Sequence, residues 1–177
     1  TLPRQSPPYW SKYVFVDINR DAHQKAFAAT QAVSKMYFDY HPVVVHDLHE
    51  AISLLLTWNG TGPYNPHMDP TVASRWLEMS FHEVSTMSSM GMPGVWTWNF
   101  GEGFGQHYLD SIAINHNAIG RGYETFGNST AETVRRHADE DSLSREWYRP
   151  WPPEPAFSWS MRDNVNYQQT AALAILD

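Results

Sequence analysis

Two periods of apolar positions run along this chain, and the places where one gives way to the other mark its elements. Tyr13-Val14-Phe15-Val16-Asp17-Ile18 is β-rich and predicts an extended segment that ends at Asn19-Arg20-Asp21. From Ala22 to about Asp39 the period lengthens. Ala26, Ala29, Val33, Met36 and Tyr37 recur at helical spacing, with Asp21 where an N-cap belongs. Pro42 ends that pattern, and Val43-Val44-Val45 predicts a short strand covered on both faces. The stretch 57–70 is rich in Gly, Asn and Pro and reads as a long loop. Asp69-Pro70 then opens a helix to about Ser88, with Asp69 as cap and Pro70 in the first turn.

Further on, Val95 to Phe100 predicts a strand, Gly101 to Gly105 a glycine-rich loop, Gln106–Asn115 a helix, and Ala118–Thr125 a strand. Ser129 and Glu132 have capping-box spacing at the head of a charged stretch to Glu146. Arg149 to Pro155 is a proline-rich loop, and Ser160 to Leu176 a final helix with Val165, Ala172, Leu173 and Leu176 along one side. Strands alternating with helices predict an α/β fold: one domain over 1–177, with a mixed, mostly parallel sheet and flanking helices. Ligands of open α/β sheets bind beyond the carboxyl ends of strands. Here that rule selects the positions after Ile18, after Val45 and around Glu124.

Composition narrows the class. The 177 residues suffice for one ordinary domain, and 42% hydrophobic with 18% charged residues is globular. A net charge of -7 with no Lys/Arg stripe argues against nucleic acid as a partner. There are no cysteines, so disulfides and thiolate zinc sites are excluded. No apolar run is long enough to span a bilayer. The chain opens on Thr1 rather than Met, and Asp177 follows an apolar helical pattern, so we expect a mature form or a piece of a longer chain. Eight Trp residues leave room for a sugar-binding groove built on Trp58, Trp96 and Trp98 beside the plainer reading of core packing.

Three polar clusters sit at the selected places. In His41-Pro42-Val43-Val44-Val45-His46-Asp47-Leu48-His49-Glu50, strand alternation puts Asp47 and His49 on one face and His46 and Glu50 on the other. The two histidines therefore do not share a metal while the strand stays regular. His49 is a metal ligand or a satisfied polar strand end. Asn19-Arg20-Asp21 either grips a carboxylate, through the bidentate Arg20 fork and Asn19, or forms a helix cap with a structural ion pair. Glu124, flanked by Tyr123 and Phe126, is either a desolvated general base or one half of an ion pair with Arg121 or another arginine.

In their order, the segments "KYVFVDINRD", "HPVVVHDLHE", "YNPHMDP", "GRGYETFGN" and "SMRDNVNYQQTAALAIL" resemble the zinc carboxypeptidases, the carboxypeptidase A-like metallopeptidases. The resemblance covers residues 6 to 176 and implies the C-terminal portion of that catalytic domain. It implies hydrolysis of C-terminal peptide bonds, with Asn19 and Arg20 on the substrate's terminal carboxylate and His49 as one zinc ligand. Glu124 is then the catalytic base, Asp47 the support of His49, and Tyr108 or Tyr123 a cover over the substrate. It also implies export to a periplasmic or extracellular space.

One part of the family pattern is missing. Its first two zinc ligands come from an H-x-x-E motif ahead of the Asn-Arg pair, and no histidine precedes Asn19 here. His137-Ala138-Asp139-Glu140 has the spacing but stands after Glu124, in a charged segment. Zinc is therefore expected only where the missing N-terminal ligands are supplied. Two expectations follow. The chain is a fragment or truncated form of a metallocarboxypeptidase, or it is a catalytically inactive structural subunit derived from one. Either leaves an open sheet edge to be covered by a protein partner or by the missing half.

Overall fold

A computed structural model describes residues 17–52, 54–59, 61–98, 105, 108–127 and 130–176. Its main sheet contains β1 (Val44–Glu50), β2 (Leu55–Trp58), β3 (Val95–Trp96) and β4 (Ile119–Thr125) in the order β1-β4-β2-β3. β1 runs parallel to β4 and β2 parallel to β3, while β2 meets β4 antiparallel. The fold is thus mixed α/β with a mostly parallel four-stranded sheet. A separate antiparallel pair joins β5 (Val134–His137) to β6 (Ala156–Trp159).

Helices cover both faces. α1 (Ala28–Tyr40) and the short α3 (Asp110–Ile114) lie on one side, where Tyr37, Ile112, Ala113 and Val45 pack together. α2 (Pro70–Ser89) and α4 (Met161–Ala174) lie on the other, around Leu55, Val84, Met87, Tyr123 and Trp159. Each such buried side chain contributes on the order of 1.5–3 kcal/mol of transfer free energy. α2 begins as its sequence dictates, with Asp69 Oδ1 accepting from the Thr71 amide at 2.7 Å and Pro70 in the first turn.

Several expectations change. Asp21 does not start the helix directly. Ile18–Arg20 is a 3-10 turn, Lys25 takes a left-handed φ of 54°, and α1 starts only at Ala28. Asp21 still satisfies the helix entry, accepting from the Ala26 and Phe27 amides at 2.9 and 3.0 Å and from the Thr30 hydroxyl. β1 is not covered on both faces. It is the sheet's edge, with alternating exposure, and Val43 just before it is 73% exposed. The strand expected over Val95 to Phe100 ends at Trp96, because Trp98 takes a φ of 65° and breaks the extension. Glu132 precedes a strand, not a helix, and its proposed partner Ser129 lies outside the described residues. Residues 13–16, 99–104 and 106–107 also lie outside them.

The last helix is real but turned. Val165, Leu173 and Leu176 point to solvent, and Asn164, Tyr167, Ala171 and Ala174 are buried. Asn164 can be buried because its carboxamide is fully used: it donates to Phe126 O at 2.6 Å and Glu50 Oε1 at 2.8 Å and accepts from Trp159 Nε1 at 2.6 Å.

Candidate functional site

The parallel register of β1 and β4 builds the site. It places His49 beside Glu124, Asp47 beside Gly122 and Val45 beside Gly120. Side chains opposed in this ladder share a face, so Asp47, His49 and Glu124 converge on the α1/α3 side near the strands' carboxyl ends. There they line a cavity of about 510 Å³ whose far wall is Asp17, Asn19, Arg20, Thr30 and Val33. The Asn19-Arg20 pair, His49 and Glu124 thus meet from three separate stretches of chain.

Two glycines let the layers close. A Cβ on Gly120 would stand 2.8 Å from Asp110 Cβ, and one on Gly122 would stand 2.9 Å from Trp58 Cε3. Both positions face the cavity side, so the missing side chains let α3 and the Trp58 ring lie directly against β4.

His49 Nε2 lies 2.9 Å from Asp47 Oδ1. This bond, ahead of the further pull of Asp47, Glu124 and Asp110, raises the His49 pKa against the opposing effect of burial. In the neutral ring this bond puts the hydrogen on Nε2 and leaves the lone pair on Nδ1. Burial pushes the Glu124 pKa up, and Asp47 adds to this, while His49, the Ala51 backbone and Arg20 pull the other way. Glu124 Oε2 is buried and has no hydrogen-bond partner among the described residues. Arg20 is half-exposed, 3.6 Å from the Asp17 carboxylate. It gives one bond to Asn19 O at 2.9 Å and lies 4.6 Å over the Tyr108 ring. Among the described residues these are the contacts of its five-donor fork.

Arg121 is not the partner of Glu124. It points to the opposite face, where its guanidinium and the Glu83 carboxylate are both 0% exposed and paired. Arg121 also donates to Ser80 Oγ at 2.8 Å and Trp58 O at 3.0 Å, and the Tyr123 hydroxyl donates to Glu83. Tyr123 is therefore locked in the core and covers no substrate. Tyr108, under the Arg20 guanidinium, is the one of the two that stands beside the Asn19-Arg20 pair. His46 lies parallel to the Tyr123 ring at 5.6 Å, away from His49. His137 ends β5 and Glu140 begins a 3-10 turn, both exposed. Trp58 and Trp98 pack in different places. Trp58 packs against Trp76 and Tyr108, and Trp98 against Trp147.

Asp110 belongs with the site, although its sequence context gives no hint of it. It is 2% exposed, Oδ2 has no partner among the described residues, and burial with the nearby Asp47 charge raises its pKa to about 7. The signal that could have found it is the Gly-x-Gly of β4, which announces a close approach without naming what approaches.

The donor set fits one corner of a zinc site and no more. His49 offers one nitrogen, about three protein ligands are needed, and among the described residues no group of three or more His, Cys, Asp or Glu could hold a metal ion. Among them, too, no helix is long and apolar enough to cross a membrane. No protein-family model, curated protein or solved structure matches the chain.

Proposed function

We propose that the chain carries the substrate-binding and proton-transfer half of a zinc-dependent metallocarboxypeptidase site, acting on C-terminal peptide bonds. The observation that supports it most is the convergence of Asn19, Arg20, His49 and Glu124 in one cavity at the carboxyl ends of two parallel strands. Arg20 and Asn19 bind the terminal carboxylate of a peptide. Glu124 Oε2, desolvated and unpartnered among the described residues, takes up the proton from water. Asp47 holds the His49 ring in place. Zinc joins only if further ligands come from outside the described residues. An exported location rests on the resemblance alone.

A peptide with a free C-terminus and its C-terminal amide separate this reading from its rivals. The free acid should bind at least about tenfold more tightly, and Arg20→Ala should erase the difference, because the charge-assisted fork is lost. Equal binding of acid and amide would sink the reading. Hydrolysis by the longest natural form with zinc, abolished by Glu124→Gln, tests the chemistry itself.

The second reading, an inactive structural subunit, draws on the edge of β1, which no other described strand covers and where Val43 and Leu48 are 73% and 54% exposed. A protein partner covering that edge, together with acid-selective binding but no hydrolysis, would favour it.

A further inference from the structure

A second cavity, of about 300 Å³, shares only Ala22 with the first. The loop after the 3-10 turn, the loop before α2, the end of α3 and Phe38 of α1 form this open depression. His23, Lys25, His67 and His116 line it, with the carboxamides of Asn65 and Asn115 and, among the described residues, no carboxylate. In a chain of net charge -7 this is a local reversal of sign.

Its parts are held in place. Asn65 donates to Asn115 Oδ1 at 3.1 Å and accepts from the His67 amide at 3.0 Å, tying the loop to the helix end. Lys25 has a left-handed φ of 54°, which a non-glycine residue keeps only when its surroundings enforce it. Here its amide donates to Asp21 O at 2.7 Å, its carbonyl accepts from Gln31 Nε2 at 2.8 Å, and its ammonium lies 5.2 Å over the Phe38 ring. The loop thus holds a cation in the cavity wall, beside the Phe38 ring.

His116 adds a proton-linked donor. Its Nδ1 lies 2.6 Å from Ile112 O, and since a carbonyl only accepts, Nδ1 carries the hydrogen. The neutral ring then offers a lone pair at Nε2, and only the protonated ring offers an N–H there. The groups around it are the Tyr37 and Phe38 rings of α1, at 5.9 and 5.1 Å, His23 and Lys25 of the first loop, His67 and Asn65 of the second, and its own neighbour Asn115.

We propose that this cavity binds a small oxyanion, a carboxylate or phosphoryl group, with uptake of one proton at His116 Nε2. Neither the carboxypeptidase reading nor its failure bears on this site.

Calorimetric titration of the intact chain tests it, with sulfate as the tetrahedral probe and acetate as the carboxylate probe. Both keep their charge between about pH 6 and about pH 8, so any pH dependence belongs to the protein. At least one probe should bind at the lower pH, about tenfold more weakly at the higher, with about one proton taken up. Whichever probe binds more tightly names the source of the anion. Lys25→Gly suits the left-handed backbone, so it removes the cation without threatening the fold; it should weaken binding about tenfold. His116→Asn keeps a donor for Ile112 O but loses Nε2, so the difference in binding between the two pH values should shrink. No binding of either probe at the lower pH overturns the proposal. So does unchanged affinity in Lys25→Gly, or unchanged pH dependence in His116→Asn.

Discussion

Asp110 shows how far one side chain's behaviour depends on what lies over it. Its carboxyl is buried and its pKa is raised to about 7, from 3.8 for the free side chain. The unfolded chain therefore gives up this proton before the folded one does. The folded state carries no penalty from Asp110 below about pH 4, loses stability as pH rises from there toward 7, and bears the full cost above it. Each tenfold change in acidity corresponds to about 1.4 kcal/mol, so that cost is a few kcal/mol. Asp110→Asn should thus stabilise the protein at about pH 8 and do little at about pH 4, as read by urea denaturation at each pH. An equal effect at both would show that the aspartate is not held neutral. At this scale the sequence was informative about residue type and mute about burial. Asn19, Arg20, His49 and Glu124 could be picked out by chemistry and order, and strand alternation separated His49 from His46. The Arg121–Glu83 pair could not be found, because Arg121's partners lie 38 to 63 positions away, and Gly120 and Gly122 announced a close approach without naming Asp110.

Elements repeat that lesson in another form. α2 was legible because its signals are local: a capping aspartate, a proline and a helical stripe. α4 was legible as a helix and not in its orientation. Its apolar stripe faces solvent, and the buried side is chosen by Asn164 and Tyr167, whose partners lie on Glu50, Phe126 and Pro93. Leu173→Gln, on the exposed side, should change stability by less than about 0.5 kcal/mol. Ala171→Leu, on the packed side, should cost about 1–3 kcal/mol by overfilling the core. The reverse ranking in thermal or chemical unfolding would mean that α4 sits the other way round. The link between α2 and β4 is the buried Arg121–Glu83 pair with the Tyr123 hydroxyl. Burial holds the Glu83 pKa up even with Arg121 beside it. Glu83→Ala leaves a bare guanidinium in the core and should cost about 3–5 kcal/mol, whereas Glu83→Leu combined with Arg121→Met should cost far less. Unfolding of the single and double variants measures the difference.

For the whole molecule, the open side of β1 sets the terms of its behaviour in solution. Among the described residues no strand pairs with that side of β1, which lies beside exposed Val43 and Leu48. Leu48→Lys should lower concentration-dependent self-association in sedimentation velocity, since a lysine on an edge strand blocks further pairing. No change would mean that the edge is already shielded. The parallel pairing of β1 with β4 also has a meaning in time. His49 and Glu124 are neighbours only through that pairing, with β2, α2, β3 and α3 all lying between them in the chain. No local segment can assemble the site, and closing so long a loop is among the slower events of folding. His49 and Glu124 can therefore come together only when the sheet closes, and the His49 imidazole signal in NMR should report that closure during refolding.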